Sequence, residues 1–307
     1  KSIDLLDEFS NVEDSDELLW KPEWNLLMHL REHNHLKIAS ERTLLILNNK
    51  EKKLPRDLTV RLLWMDASLA LQMNKPEEAL TKCERVIDFL TEAEGFSVDL
   101  DNKLRAQVLL TRGRAFLGSS QENQAAETFT KLHLKYPHSD ESAFSYLVEA
   151  YHHASGNRLD EAQRNLLRLA DGFKKSRYAP RALYEAALHL ERRGMDENLK
   201  EGVDLLERLI QEYPNDELVF YARLRQANLL RRRNEFGSAL ELCEQLIGNK
   251  LYRDHPQKKS ASMLRADCLL ALARNDRQKL FEVGEAYGEL KSVQGHSSEM
   301  HAEAAYK

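Results

Sequence analysis

Small residues recur along this chain in pairs that keep a fixed separation, each within an apolar helical periodicity. The first position of the pair is filled by Ala67, Gly113, Ala150, Ala187, Ala227 and Ala266, with Leu27 as the exception, and the second by Ala39, Ala79, Ala125, Ala162, Gly202 and Ala239. The separation is 12 residues in five of six pairs, with a polar turn expected seven residues after the first position. It is 15 residues from Ala187 to Gly202, which predicts a longer turn there. Because two helices approach closely only where side chains are small, the pattern predicts helix–turn–helix hairpins that cross at these residues.

The second helix of each hairpin carries apolar residues at matching positions. Four residues after the second small residue come Cys83, Phe129, Leu166, Leu206 and Cys243, and seven to eight after it come pairs such as Ile46-Leu47 and Val86-Ile87. These spacings place the apolar side chains on the same helix face as the small residue. One hairpin cannot cover such a face alone, so neighbouring hairpins are expected to stack.

The pattern resembles the tetratricopeptide repeat (TPR), a helix–turn–helix unit of about 34 residues. The residues that match its signature in register are Gly113, Phe116, Ala125, Phe129 and Pro137 in one unit, and Ala227, Ala239 and Leu246 in another. The resemblance implies an all-α fold, a right-handed superhelical α-solenoid of about seven stacked units. The units start near residues 20, 60, 106, 143, 180, 220 and 259.

The resemblance also suggests a domain organisation. The solenoid covers residues 20–307, and residues 1–19 form an acidic N-terminal segment or a capping helix. The chain is expected to be a fragment of a longer protein.

The prolines of the chain are expected at helix starts, turns or junctions, since proline disrupts helix interiors. The Tyr-Pro closures at Tyr136-Pro137 and Tyr213-Pro214 resemble those of bacterial envelope TPR proteins, which favours a bacterial protein of the cytoplasm or periplasm, with envelope association preferred.

Composition and motifs argue against several classes of function. The net charge is -5, whereas nucleic-acid binders usually carry a basic excess. No apolar run approaches the length of a membrane-spanning helix, and no nucleotide-binding loop, nucleophile elbow or zinc-protease motif occurs. The widely spaced Cys83, Cys243 and Cys268 suit buried thiols rather than metal ligands or disulfides. The sequence therefore predicts no enzyme activity, catalytic residue, small-molecule substrate, metal or cofactor.

The resemblance implies a binding site as well. In TPR arrays the first helices line a concave groove with their second, fifth, sixth and ninth positions. The corresponding residues here are Arg114, Phe144, Leu147, Tyr151, Arg181, Tyr184, Leu188, Tyr221, Arg225 and Asn228, with Arg232 one turn further on. Aromatic and aliphatic side chains bordered by guanidinium groups suit a protein or peptide partner with apolar anchors and acidic residues.

Two other functions stay open. The chain is alternatively the docking or sensor arm of a larger enzyme or regulator. The run Arg231-Arg232-Arg233 raises nucleic-acid binding as a distant third hypothesis. Cations at the C-terminus of a helix also interact favourably with the helix dipole, which accounts for the run without a ligand.

Overall fold

A computed structural model describes residues 16–49, 54–92, 96–273 and 276–292. These ranges contain fourteen α-helices, a short 3₁₀ helix (Lys250–Tyr252) and no β-strand. The helices follow one another as seven pairs: α1 (Asp16–Glu32) and α2 (Leu36–Leu47), α3 (Arg56–Gln72) and α4 (Pro76–Glu92), α5 (Val98–Gly118) and α6 (Glu122–Lys135), α7 (Asp140–Ser155) and α8 (Leu159–Gly172), α9 (Ala179–Arg193) and α10 (Asp196–Glu212), α11 (Leu218–Arg232) and α12 (Phe236–Gly248), α13 (Lys258–Ala273) and α14 (Arg277–Ser292). The predicted all-α architecture of seven hairpins is confirmed.

The chain divides into two compact units, residues 1–148 and 149–307, with the boundary inside α7. In both units, helices that follow one another in sequence pack together, as α3 and α4 do in the first unit and α9 and α10 do in the second. The first helices of neighbouring hairpins also touch, α3 with α5 in the first unit and α11 with both α9 and α13 in the second. Each unit is therefore a stretch of α-solenoid in which first helices share one side.

The small residues of the sequence pattern lie where the helices cross. All twelve of them are buried, and so is Leu27, which takes the first small position in the first hairpin. The crossing at Gly113 is so close that an added Cβ would lie 2.3 Å from Cε1 of Phe129. At Gly202 an added Cβ would lie 3.6 Å from the backbone oxygen of Ala187, the other small residue of that pair, and 3.0 Å from Cδ1 of Leu229 on α11. The predicted crossing points are confirmed.

Each described turn within a hairpin contains one residue in the left-handed region, seven residues after the first small position. These residues are Asn34, Asn74, Ser120, Asn157, Gly194 and Asn234. In the second hairpin the N–H of Asn74 donates to Leu71 O (3.1 Å) and the N–H of Lys75 to Ala70 O (3.0 Å). This is the Schellman arrangement, which satisfies the last carbonyl groups of a helix and reverses the chain. Glycine and asparagine tolerate the left-handed conformation best, which explains why asparagine recurs there.

Two local predictions are wrong. The turn between Ala187 and Gly202 is not longer than the others, because α9 ends at Arg193 and α10 already begins at Asp196. The three additional residues are helical and lengthen α10 by about one turn, since an α-helix has about 3.6 residues per turn. Pro22 lies inside α1 rather than at a helix start, because that helix begins at Asp16.

Some predicted features fall partly or wholly outside the described residues. Residues 1–15, which include most of the acidic opening, are among these, and so are residues 93–95 of the junction between the second and third hairpins. Among the helices that the structure does describe, none has the length and apolar character of a membrane span.

We expect Gly113→Ala to lower the free energy of unfolding by about 1–3 kcal/mol, because the new methyl group must displace the ring of Phe129. Gly237→Ala is the matched control, since an added Cβ there meets no atom within 4 Å. The control should be neutral or stabilising by up to about 1 kcal/mol, because alanine is the better helix former. Urea unfolding of the three proteins measures both values. Equal midpoints for the two variants would contradict the close crossing.

Candidate partner-binding surface

The residues predicted to bind a partner lie on the first helices, at one side of the small residues that face the second helices. On α9, Arg181, Tyr184 and Leu188 lie about 60–120° around the helix from Ala187, which faces α10. Arg181 is exposed, and Tyr184 and Leu188 are half-buried. Their side chains are therefore at least partly available on the first-helix side of the second unit.

The first unit contributes three of the predicted residues. Arg114 is half-buried on α5, and its guanidinium carbon lies 5.8 Å from the ring centroid of Phe144 on α7. Leu147 is only 2% exposed, so its side chain belongs to the interior. We therefore correct the prediction for Leu147: the residue fills the core because its helix face points inward.

Tyr151 and Arg181 form a contact between α7 and α9 in the second unit. The guanidinium carbon of Arg181 lies 5.6 Å from the ring centroid of Tyr151, whose hydroxyl donates to Glu185 Oε1 at 3.4 Å. Arg181 also approaches Glu185 at 3.7 Å. Tyr151 remains 37% exposed, and burial of the rest of its side chain raises the pKa of its hydroxyl. The ring is thus held in place and still presents a surface to solvent.

Tyr184 and Tyr221 are the other two predicted aromatic residues of the second unit. Both are half-buried. Tyr221 packs edge-on against His255, with ring centroids 5.2 Å apart. Tyr184 makes no hydrogen bond or ring contact with any residue in the described part of the chain.

Glu191 on α9 is the centre of a polar network that the sequence reasoning missed. Its carboxylate accepts hydrogen bonds from Asn228 Nδ2 and Arg232 Nη1, both 3.2 Å from Oε1, and Arg225 Nη1 lies 3.2 Å from Oε2. The side chain of Glu191 is 13% exposed. Three of the four predicted groove residues of α11 thus converge on one carboxylate. Two guanidinium groups around one carboxylate leave an excess of positive charge.

Glu149, on α7, is a second carboxylate that the sequence did not single out. Burial raises the pKa of Glu149 to about 7, and the charge of Arg168 opposes this shift only in part.

The cysteine thiols show the same effect, since burial raises the pKa of Cys83 and Cys243 to about 12 and that of Cys268 to about 11. They remain protonated near neutral pH, and the prediction of buried thiols is confirmed. The described residues include no group of three or more metal-binding side chains.

Comparison with solved structures identifies the fold. The C-terminal part of a TPR repeat-containing protein from Cytophaga hutchinsonii matches with a TM-score of 0.61 at 11% identity, over 91% of this chain and 98% of that chain. This chain has a TPR-like fold. Two further TPR-like matches have lower TM-scores: a tetratricopeptide repeat protein from Parabacteroides merdae (0.44, 16% identity, 94% of this chain and 97% of that one) and PilF from Pseudomonas aeruginosa (0.47, 15% identity, 82% and 99%). No protein-family model and no curated protein matches the sequence.

The arginine run closes the first helix of the sixth TPR-like hairpin, and each of its members has a partner within the chain. Arg231 Nη2 donates to Asn228 Oδ1 (3.1 Å), and Arg232 binds Glu191. Arg233 pairs with Asp196 at 3.0 Å and with Glu235 at 2.7 Å. These bonds tie α11 to its neighbours, which gives the run a structural role without a nucleic acid.

We expect Glu191→Gln to lower the free energy of unfolding by about 1–2 kcal/mol, because two arginines lose a charge-assisted hydrogen bond. The loss should shrink in high salt. Glu241→Gln is the control, since Glu241 is exposed on α12 and forms no ion pair with a described residue. Urea midpoints at low and high salt measure the difference. A midpoint as high as that of the control would contradict the network.

We expect Glu149→Gln to stabilise the protein at neutral pH but not in acid. A carboxyl whose pKa is raised from about 4.3 to about 7 binds its proton more tightly in the folded state. The stability that this provides is complete below about pH 4 and is lost as the pH rises through 7. The Tm of the variant relative to that of the parent should therefore rise between pH 5 and 7 and then level off. A constant difference would contradict the raised pKa.

Proposed function

We propose that this chain is a non-enzymatic scaffold that binds a peptide or protein partner on the first-helix side of its second unit. A row of tyrosines carries the proposal: Tyr151, Tyr184 and Tyr221 stand one each on α7, α9 and α11. None is fully buried, and Leu188 adds an aliphatic side chain beside them. Tyrosine combines a large apolar ring with a polar hydroxyl, which is why it is enriched at protein interfaces.

The charges around the row favour an acidic partner segment. Arg225 and Arg232 share the single carboxylate of Glu191, so part of their charge is left for an external anion. A carboxylate of the partner could join this cluster without leaving a charge unpaired. A segment with aromatic or aliphatic anchors and flanking acidic residues therefore suits the surface best.

Display of a peptide library on phage, followed by titration of the selected peptides, tests the proposal. Peptides that bind the parent chain should bind Tyr184→Ala and Tyr221→Ala at least about tenfold more weakly, because truncation of a central aromatic anchor commonly costs 2 kcal/mol or more. Arg225→Ala should weaken binding too, and more strongly at low salt than at high salt.

The control is Arg164→Ala, on the second helix α8, where the side chain is exposed and its only ion pair among the described residues is with Glu161. Circular dichroism checks that each variant is folded. Selected peptides that bind the tyrosine variants as tightly as the parent would contradict the proposal, and so would a loss of affinity in Arg164→Ala of the same size.

A further inference from the structure

The first unit contains a small pocket that is separate from the tyrosine row. Its volume is about 160 Å³, and it lies between α1, α3 and α5. Its walls include Trp24, Met28 and Trp64, and its cations are Arg31, Arg61 and Lys103. None of these residues was among those predicted to bind a partner.

The tryptophans give the pocket an aromatic wall. Their ring centroids are 6.4 Å apart and the rings are tilted by 40°. The indole N–H of Trp64 donates to Thr111 Oγ1 at 3.3 Å, so its polar atom is satisfied and fixes the ring. A cavity of about 150 Å³ lined by apolar side chains holds one benzene molecule, so this pocket has room for one phenyl ring. It is smaller than the ~300–1,000 Å³ typical of small-molecule sites.

The two arginines stack on the tryptophan rings instead of pairing with carboxylates. The guanidinium carbon of Arg31 lies 5.1 Å from the ring centroid of Trp64, and that of Arg61 lies 5.8 Å from that of Trp24. Within the described chain, Arg31, Arg61 and Lys103 have no carboxylate within the 4 Å of an ion pair. Two carboxylates act on these cations through their charge alone: Glu32 interacts with Arg31, and Glu141 interacts with Lys103.

Arg114 increases the positive charge of this region. Burial and the neighbouring charge of Arg31 both lower the pKa of Arg114, which shows that the two guanidinium groups repel each other. In the second unit, by contrast, Arg225, Arg232 and Arg233 all bind carboxylates. Arg31, Arg61 and Lys103 have no ion pair with a described residue, so we expect them to attract an anionic partner more strongly than these three arginines of the second unit.

We propose that this pocket binds an acidic peptide segment of a partner protein, with one aromatic side chain packed in the pocket against Trp24 and Trp64 and flanking carboxylates bound by Arg31, Arg61 and Lys103. The inference rests on the proposed function in that both describe a protein-binding scaffold, but it concerns another site with its own residues. Aromatic insertion supplies apolar burial, and the guanidinium groups select negative charge.

Intrinsic fluorescence tests the proposal directly, because the chain has three tryptophans and two of them line the pocket. The probes are three capped peptides without tryptophan: Asp-Glu-Phe-Asp-Glu, the same peptide with alanine in place of phenylalanine, and Lys-Lys-Phe-Lys-Lys. We expect a saturable change with the first peptide only, weakening as salt is added. The alanine peptide should bind at least about tenfold more weakly.

Arg61→Gln should weaken binding of the first peptide about tenfold, because a charge-assisted contact is lost. The matched control Arg85→Gln, exposed on α4, should bind like the parent. Tyr221→Ala should also bind like the parent, so failure of the tyrosine row and failure of this pocket are distinguishable. Equal binding of the basic peptide, or an unchanged Kd in Arg61→Gln, would overturn the proposal. Tighter binding in Phe9→Ser would also overturn it, by assigning the pocket to the chain's own acidic segment at residues 4–17.

Discussion

Close contact between two helix backbones at small residues is the constraint on which this structure depends. At Gly113 the ring of Phe129 occupies the space that a side chain would need, and the second, fourth, fifth and sixth hairpins have buried alanine or glycine at both corresponding positions. Each crossing fixes how far apart the two helices lie and which face of the first helix is left for other contacts. The left-handed residue in each described turn then closes the hairpin with satisfied backbone hydrogen bonds.

The faces of the first helices that do not contact the second helices carry different side-chain contacts in the two units. In the second unit, Arg225, Asn228 and Arg232 all bind the carboxylate of Glu191. These polar side chains therefore have partners within the chain, and the tyrosines are the side chains left to contact a partner. In the first unit, Arg31 and Arg61 stack on tryptophan rings, where attraction to the π-face replaces an ion pair. The same repeat geometry thus supports a row of tyrosines beside a paired charge cluster in one unit and a cationic aromatic pocket in the other.

Much of the fold was predictable because the contacts within each hairpin join residues that are close in sequence. Small residues 12 apart, an apolar face on the second helix and a polar turn all depend on neighbours close in sequence, so Ala67 and Ala79 indicate their crossing without tertiary information. The candidate site was only partly predictable. Helical periodicity puts Leu147 and Tyr151 on one flank, but packing buries the first and leaves the second exposed. The extra residues before Gly202 could have formed a loop or a helical turn, and a residue count does not distinguish the two.

By itself, the sequence determined the all-α class, the seven hairpins, their phasing and the buried thiols, because these follow from helical periodicity and the spacing of small residues. Tertiary structure alone decided which charges are paired. Glu191 meets Arg225 and Arg232 across 34 and 41 residues, whereas Arg31 and Arg61 meet aromatic rings and, within the part of the chain that the structure describes, no carboxylate. Partners so distant in sequence depend on how neighbouring hairpins stack and on side-chain direction. The spacing of small residues in the sequence does not determine how neighbouring hairpins stack or where these side chains point.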